Sequence, residues 1–382
     1  MILFVDQSGE PGGAELCLGD IAAHCRGRSR VLLFSHGRFE GMLQQRGVSV
    51  SVTETPRRLA AIGKGAGPAE YLAVAPEMAG FLGALRKEIR RSDLVYLNTA
   101  KALLHGVAAG IGFRKPSVFH LHDLLTPEHF SALNIRLITL AANRTRAVIA
   151  NSQATATAFR EAGGRVPVHV IPNGFDTSRF APLSKEEVLA ARAEHGAGAS
   201  PVAAVFGRIS RWKGQDLLLR AASEIPDLRV WIVGEAFFTG DDRRYAGELR
   251  ALASVPALAG RVEFLGQRDD IPQLMQAADV VVHASVAPEP FGRVVAEGML
   301  SGRAVIASRA GGPMEMIRHG ETGWLFAPGD PQELTTALRE VLALPDLGRG
   351  MGSLASSEAS RRYSLPPVLE QTDRVLSGLM SL

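Results

Sequence analysis

The stretch "APEPFGRVVAEGML", residues 287 to 300, carries two carboxylates, Glu289 and Glu297, with seven residues between them. Pro288 and Pro290 flank Glu289, and because proline restricts both its own backbone and that of its predecessor, Glu289 is expected in an extended loop. From Phe291 onward the sequence suits a helix, whose first amides, those of Phe291, Gly292, Arg293 and Val294, would face an anion. Gly292 would let that ligand come close. Glu297 follows Arg293 by four residues on the same helical face, so it is either half of an ordinary ion pair or a ligand-facing carboxylate. Carboxylates that accept hydroxyls at both ends, with amides for phosphate between them, suit a sugar nucleotide.

A second set of residues points the same way. In "GRISRWKGQD" Arg208 and Lys213 follow an apolar run, where two cations can converge on a polyanion and neutralise a diphosphate. The alternative is a pair of exposed surface cations. Gly12 and Gly13 in "GGAE" make a tight turn into a helix, a feature that ordinary turns share. "HLHD" places His120 and His122 on one face of a strand end, but two histidines at that spacing with no third ligand make a poor zinc signature, and no catalytic metal is expected. Asn98, Asn151 and Asn173 each follow a strand, where a side-chain amide would touch the acceptor or link the domains, although turn formation is the commoner role.

These residues need elements to hold them. "MILFV", the loop "DQSGEPGG" and the helical "AELCLGDIAAHC" read as strand, glycine loop, helix; "PVAAVFG", "RISRWKG" and "QDLLLRAA" repeat that order from Pro201. Further apolar runs alternate with helical ones: "SRVLLFS", "DLVYLNT", "PSVFHLHD" and "RAVIANS", then "LRVWIVG", "VEFLG", "DVVVHAS" and "RAVIAS". Such alternation predicts an α/β protein with doubly wound parallel sheets, whose ligands bind beyond the carboxyl ends of the strands. An apolar strand near residue 170 gives way to turns and a charged helix, which sets the domain boundary near Phe175. The expected domains are 1–175 with a C-terminal helix at about 366–382, and 176–365; the final segment "RRYSLPPVLEQTDRVLSGLM" reads as a helix broken by Pro366 and Pro367.

The whole chain bounds the function. Its 382 residues suit two domains, and 46% hydrophobic with 21% charged residues is the composition of a globular α/β enzyme. No secretory leader and no apolar run long enough to cross a membrane is read in it, so a cytoplasmic protein is expected. Cys17 and Cys25 match no redox or metal spacing and read as buried thiols. Residues 1 to 175 hold 20 Lys and Arg against 13 Asp and Glu, and the remainder holds 22 against 26. The basic first half, with "RGRSR" and "RKEIRR", suits solvated helix ends or transient contact with an anionic membrane surface; no nucleic-acid partner is expected.

With these residues in view, "EPFGRVVAEG", "GRISRWKGQD", "EFLGQRDDIPQLMQAADVVVHAS" and "GGPMEMIRHGETGWLFAPGDPQEL" together resemble the retaining glycosyltransferases of family 4. The likeness is dense over residues 201 to 335 and looser before, where it rests on "GGAE", "HLHD", "IANSQATA" and "VIPNGFD". It implies a GT-B fold, two Rossmann-like parallel-sheet domains facing a central cleft, with Glu289 and Glu297 as the family's E-x7-E signature. It further implies that Glu297 binds the ribose, that Glu289 and the amides near Phe291 and Gly292 hold the donor sugar, and that Arg208 and Lys213 neutralise the diphosphate. The loop from Gln267 to Asp270 would receive the nucleobase, with Arg268 and Asp270 nearest to it, although Asp270 serves equally well as a helix cap. His122 resembles the family's histidine at the reaction centre, and His120 would pack beneath it.

The resulting expectation is transfer of a hexose from a UDP-sugar or GDP-sugar, with retention, to a saccharide, lipid-linked saccharide or other hydroxyl acceptor, in cell-envelope glycan or glycolipid synthesis. No cofactor is required. No nucleophile stands out in the first domain's loops, which favours front-face attack, with Arg208, Lys213, Glu289 and His122 at the chemistry. A nucleotide-sugar epimerase of the same fold is the main rival. An NAD-dependent dehydrogenase lacks the fingerprint glycines.

Overall fold

The computed structural model describes residues 1–60, 74–236, 240–343 and 345–381. The chain divides into two compact units, one formed by Met1–Gly174 with Pro366–Leu382 and the other by Phe175–Leu365.

The first unit contains seven strands: β1 (Ile2–Asp6), β2 (Ser29–Leu33), β3 (Ser49–Val52), β4 (Leu94–Leu97), β5 (Ser117–Leu121), β6 (Ala147–Ala150) and β7 (Val168–Val170). All pair in parallel, in the order β3-β2-β1-β4-β5-β6-β7. β1, β4 and β6 are buried along their whole length, which is why they read as unbroken apolar runs: helices cover both faces of a parallel sheet. Leu3, Val5, Val95, Leu97, Phe119 and Leu121 face one core, which the helices Ala75–Arg90, Ala100–Gly110 and Ala132–Ala142 close.

In the second unit, six parallel strands, β8 (Val202–Phe206), β9 (Arg229–Val233), β10 (Val262–Gly266), β11 (Val280–His283), β12 (Ala304–Ser308) and β13 (Trp324–Phe326), lie in the order β10-β9-β8-β11-β12-β13. Alternation along β8 splits its side chains between two cores. Ala203 and Val205 join one, and Val202, Ala204 and Phe206 the other. Both sheets are Rossmann-like, and each reverses its strand order once, between β1 and β4 and between β8 and β11. Loops leaving the carboxyl ends of strands at such a reversal diverge and open a crevice.

The final helical segment is interrupted at Ser364, between helices Pro345–Tyr363 and Leu365–Met380. Pro366 and Pro367 occupy the first turn of the second helix, where their missing N–H groups cost nothing. Among the described residues no helix is long and apolar enough to cross a membrane.

Candidate functional site

In the second unit the chemistry gathers at the reversal between β8 and β11. The β8 loop carries Arg208, the short 3-10 turn Arg211–Lys213 and then the helix Gln215–Ser223. The β11 loop runs from Ala284 to Gly292 and into the helix Arg293–Leu300. Backbone contacts tie the two loops: the Val286 amide donates to Trp212 O at 2.8 Å, and a Cβ on Gly214 would fall 2.2 Å from Ala284 O. Only glycine allows that approach.

This packing brings Lys213 onto Glu289. One carboxylate oxygen of Glu289 accepts from the Lys213 ammonium, from Ser285 Oγ at 2.6 Å and from His283 Nε2 at 2.9 Å. The carboxylate is 7% exposed. Burial acts to raise its pKa, but the Lys213 and His283 charges outweigh that and hold the group well below the usual carboxylate range. The Glu289 backbone is pinned as well, because the Gly312 amide donates to its carbonyl at 2.8 Å and Gly311, at φ +67°, leaves no room for a Cβ against it. Glu289 is therefore an ionised carboxylate with fixed orientation, and Lys213 is held by it rather than waiting as an isolated cation.

Gly292 caps the next helix at φ +91°, a backbone region that favours glycine. Val295 and Ala296 donate back to its carbonyl, and helical geometry leaves the preceding amides, including Arg293 and Val294, without an intrahelical acceptor. Phe291 does not face outward; it is buried against Phe175 and Tyr363. Glu297 pairs with Arg293 at 3.3 Å, and Arg293 in turn lies 4.5 Å over the Phe175 ring. Burial raises the Glu297 carboxyl against the opposing pull of Arg293 and Arg179.

Arg268 and Asp270 form a two-pronged pair at 2.8 and 2.7 Å. This corrects one reading of Asp270: it stands at the cap position of the helix Ile271–Ala277, yet its side chain makes no capping bond. The Arg268 hydrogen bonds take the carboxylate instead and lower its pKa.

In the first unit, the reversal between β1 and β4 gathers Asp6, Asn98 and His122. Asn98 Nδ2 donates to Asp6 Oδ2 at 2.6 Å and to Ala14 O at 3.2 Å, which leaves Asn98 Oδ1 to accept from His122 Nε2 at 3.0 Å. The amide is thereby oriented, and a neutral His122 is held as the Nε2–H tautomer. His120 stacks on His122 with ring centres 3.8 Å apart and is itself bonded to Tyr96; burial lowers its pKa well below the ordinary value. Gly12 caps the helix Gly13–His24, and its amide donates to Glu15 Oε2 at 3.0 Å.

Burial pushes Asp6 up to about 6, against the Asn98 hydrogen bond, and burial with the neighbouring Asp6 charge pushes Glu15 up to about 7. A raised carboxyl stabilises the fold fully below its unfolded pKa and loses that contribution as pH rises through the folded one. Glu15→Gln keeps the cap bond without the charge. It should stabilise the protein at pH about 8 by on the order of 2 kcal/mol, read as a higher melting temperature, and flatten the decline of that temperature between pH 5 and 8. An unaltered profile in thermal melts would refute this.

Sequence reasoning missed His283 and Ser285, which orient Glu289, and Asp6; it set Asn98, which Asp6 holds and which orients His122, aside as a turn residue. Their only signal was position at the carboxyl ends of β11, β4 and β1. Among the described residues no group of three or more His, Cys, Asp or Glu side chains is gathered as a metal site.

Two Rossmann-like parallel-sheet units, with a lysine-bound carboxylate and a helix N-terminus at one strand reversal, fit the class of glycosyltransferases with the GT-B fold. The model of the glycosyl transferases group 1 matches residues 200–343, and that of glycosyltransferase family 4 matches residues 11–179. HepE of Anabaena, in its crystal structure with UDP and glucose, is similar over 99% of both chains, at 41% identity and a TM-score of 0.89. The lipopolysaccharide core biosynthesis glycosyltransferase LpsE of Rhizobium meliloti is 29% identical over 199 residues, 52% of this chain and 54% of that one. The D-inositol 3-phosphate glycosyltransferase of Nocardia farcinica is 35% identical over 224 residues, 56% of this chain and 48% of that one. The chain thus spans about half the length of these curated relatives. It belongs to the family 4 type of glycosyltransferases with the GT-B fold.

Proposed function

We propose that the protein is a retaining hexosyltransferase that uses a UDP-sugar, UDP-glucose first among them, and a saccharide or lipid-linked saccharide acceptor in cell-envelope glycan synthesis. The observation that carries this reading is Glu289, an ionised carboxylate fixed by Lys213, His283 and Ser285 just before a helix N-terminus. A carboxylate so held accepts hydroxyls of a donor sugar, while the amides at Gly292 and Arg293 take phosphate oxygens. The likeness to HepE, which was crystallised with UDP, glucose and UDP-glucose, supports the donor, and the name of LpsE supports the envelope role.

In this reading Glu297 takes the ribose, exchanging its contact with Arg293 for the two hydroxyls, and Arg268 with Asp270 borders the base. Gly12 and Gly13 belong to the donor side by the same proposal. As the bond between the anomeric carbon and the diphosphate breaks, Arg208, Lys213 and the helix amides stabilise the charge on the leaving oxygens. The leaving phosphate then takes the acceptor's proton as the acceptor oxygen enters on the same face, so the configuration is kept and no metal is called on. His122, oriented by Asn98, is assigned to the same chemistry.

The test is the stereochemistry of the product. With UDP-glucose and EDTA, and with alkyl glycosides or water as acceptor, proton NMR should show the α-anomer first, and UDP should raise the melting temperature more than GDP or ADP. First appearance of the β-anomer would overturn retention. Conversion of the free nucleotide sugar to its isomer without any acceptor would favour an epimerase.

A further inference from the structure

Lys213 stands in a short turn between Arg211 and Asp216, and the helix Gly240–Ala253 reaches both of those residues. Before the lysine, Arg211 donates to Glu248 at 2.5 Å, and its guanidinium lies 5.1 Å from the centre of the Tyr245 ring. After the lysine, the Tyr245 hydroxyl donates to Asp216 Oδ1 at 2.6 Å and accepts from the Asp216 amide at 3.1 Å. A single helix thus grips the turn on both sides of its cation.

The two grips carry unequal weight. Arg211 and Glu248 are 51% and 49% exposed, so water and salt screen their pair. Tyr245 is 3% exposed, and its ring lies in the core that also takes Ile209 and Leu217, from either side of the turn. A tyrosine buried in this way needs a partner for its hydroxyl, and here Asp216 is that partner in both directions. Burial and the Asp216 hydrogen bond push the hydroxyl's pKa up, so it stays a donor.

The place of these bonds matters more than their number. The helix Gln215–Ser223 has no side-chain cap of its own, because Gly214 occupies the cap position at φ +64°. The Asp216 amide is one of the first-turn donors that such a helix leaves over, and the Tyr245 oxygen takes it. A phenylalanine would fill the same core; the hydroxyl is spent on one residue, three after Lys213, where the turn becomes a helix. The β11 loop already holds the turn through the bond from Val286 to Trp212 O, and Tyr245 supplies a second, independent hold.

We propose that Tyr245 is a positioning residue for the transfer reaction: through Asp216 and Arg211 it holds the Arg211–Lys213 turn and so sets where the Lys213 ammonium meets the leaving diphosphate. The catalytic half of this rests on the transferase reading above, but the hold itself can be measured without substrate.

Tyr245→Phe keeps the ring and removes the hydroxyl. With UDP-glucose, kcat should fall about tenfold while the donor KM stays within about twofold, because a displaced charge donor is missed chiefly in the transition state. Asp216→Ala repeats the test without touching the core and should also lower kcat, though less, since the hydroxyl still meets the amide. Arg211→Ala should cost only about twofold, as a screened pair would. In a Lys213→Ala background Tyr245→Phe should cost nothing further, the signature of two residues that act as one. Without any ligand, hydrogen exchange of the amides from 211 to 217 should rise about tenfold in Tyr245→Phe, with β8 unaltered. Unaltered exchange, unaltered kcat, or an equal loss of kcat with and without Lys213 overturns the proposal. No product from the unaltered chain would count against the transferase reading and take the catalytic half with it, while the exchange result alone decides whether Tyr245 holds the turn.

Discussion

Lys213→Ala lowers turnover with saturating UDP-sugar about a hundredfold or more, the expected loss of one well-placed charge donor to a leaving group. The effect should fall on kcat and kcat/KM alike, because the diphosphate, already doubly anionic in the donor, gains a further charge on its leaving oxygen as the glycosidic bond breaks. The side chain is already positioned without ligand: the ammonium sits on Glu289 and lies 4.2 Å over the Trp212 ring, so little reorganisation is needed when phosphate arrives. Near-normal single-turnover rates in the variant would remove Lys213 from the chemistry.

Glu289→Ala should be worse in two respects. Activity falls at least as far, because the sugar loses its fixed carboxylate and Lys213 its tether. Stability falls too, because Lys213, His283 and Ser285 all lose the oxygen they share, and breaking a buried pair from one side costs about 3 to 5 kcal/mol. Lys213 keeps 18% exposure and His283 only 3%, so most of the cost should come from the histidine side of the cluster. Glu289→Gln keeps shape and the Ser285 bond and should recover part of the stability but little of the activity. A Glu289→Ala protein that melts like the parent would show that the cluster does not hold the loop. The wild-type contribution of Glu289 is depressed-carboxylate in sign: present above the ordinary carboxylate pKa and lost only as pH falls through the much lower folded value.

Part of this could be read from residues alone. Apolar runs with strand-loop-helix order appear as β1, β2, β4, β5 and β6 and as β8, β9, β11 and β12, because strands buried on both faces have few polar positions to blur the pattern; the edge strand β10, "VEFLG", is legible from its apolar residues although it is half exposed. β3, "SVSV", and β13, "WLF", escaped it. They are short edge strands, and β3 is half exposed. The same limit applies to side chains. Proline chemistry placed Glu289 in a loop, but Lys213 lies 76 residues before it, and no local rule reports a pair so distant. Asp270 stands at its helix start as its neighbours suggest, yet the competing Arg268 guanidinium takes its carboxylate, which propensity cannot foresee.

The sequence by itself determined the α/β class, the place of each chemical residue at the end of a strand and the extended loop and helix start around Glu289 and Glu297. These follow from periodicity and backbone restriction, which act over a few residues. Only the tertiary structure decided that β11 lies beside β8 and β4 beside β1, and hence that Glu289 meets Lys213 while Asn98 meets Asp6 and His122. Strand order is set by how whole helices and sheets bury apolar surface, a sum over the entire domain. The contacts that orient the site are consequences of that sum.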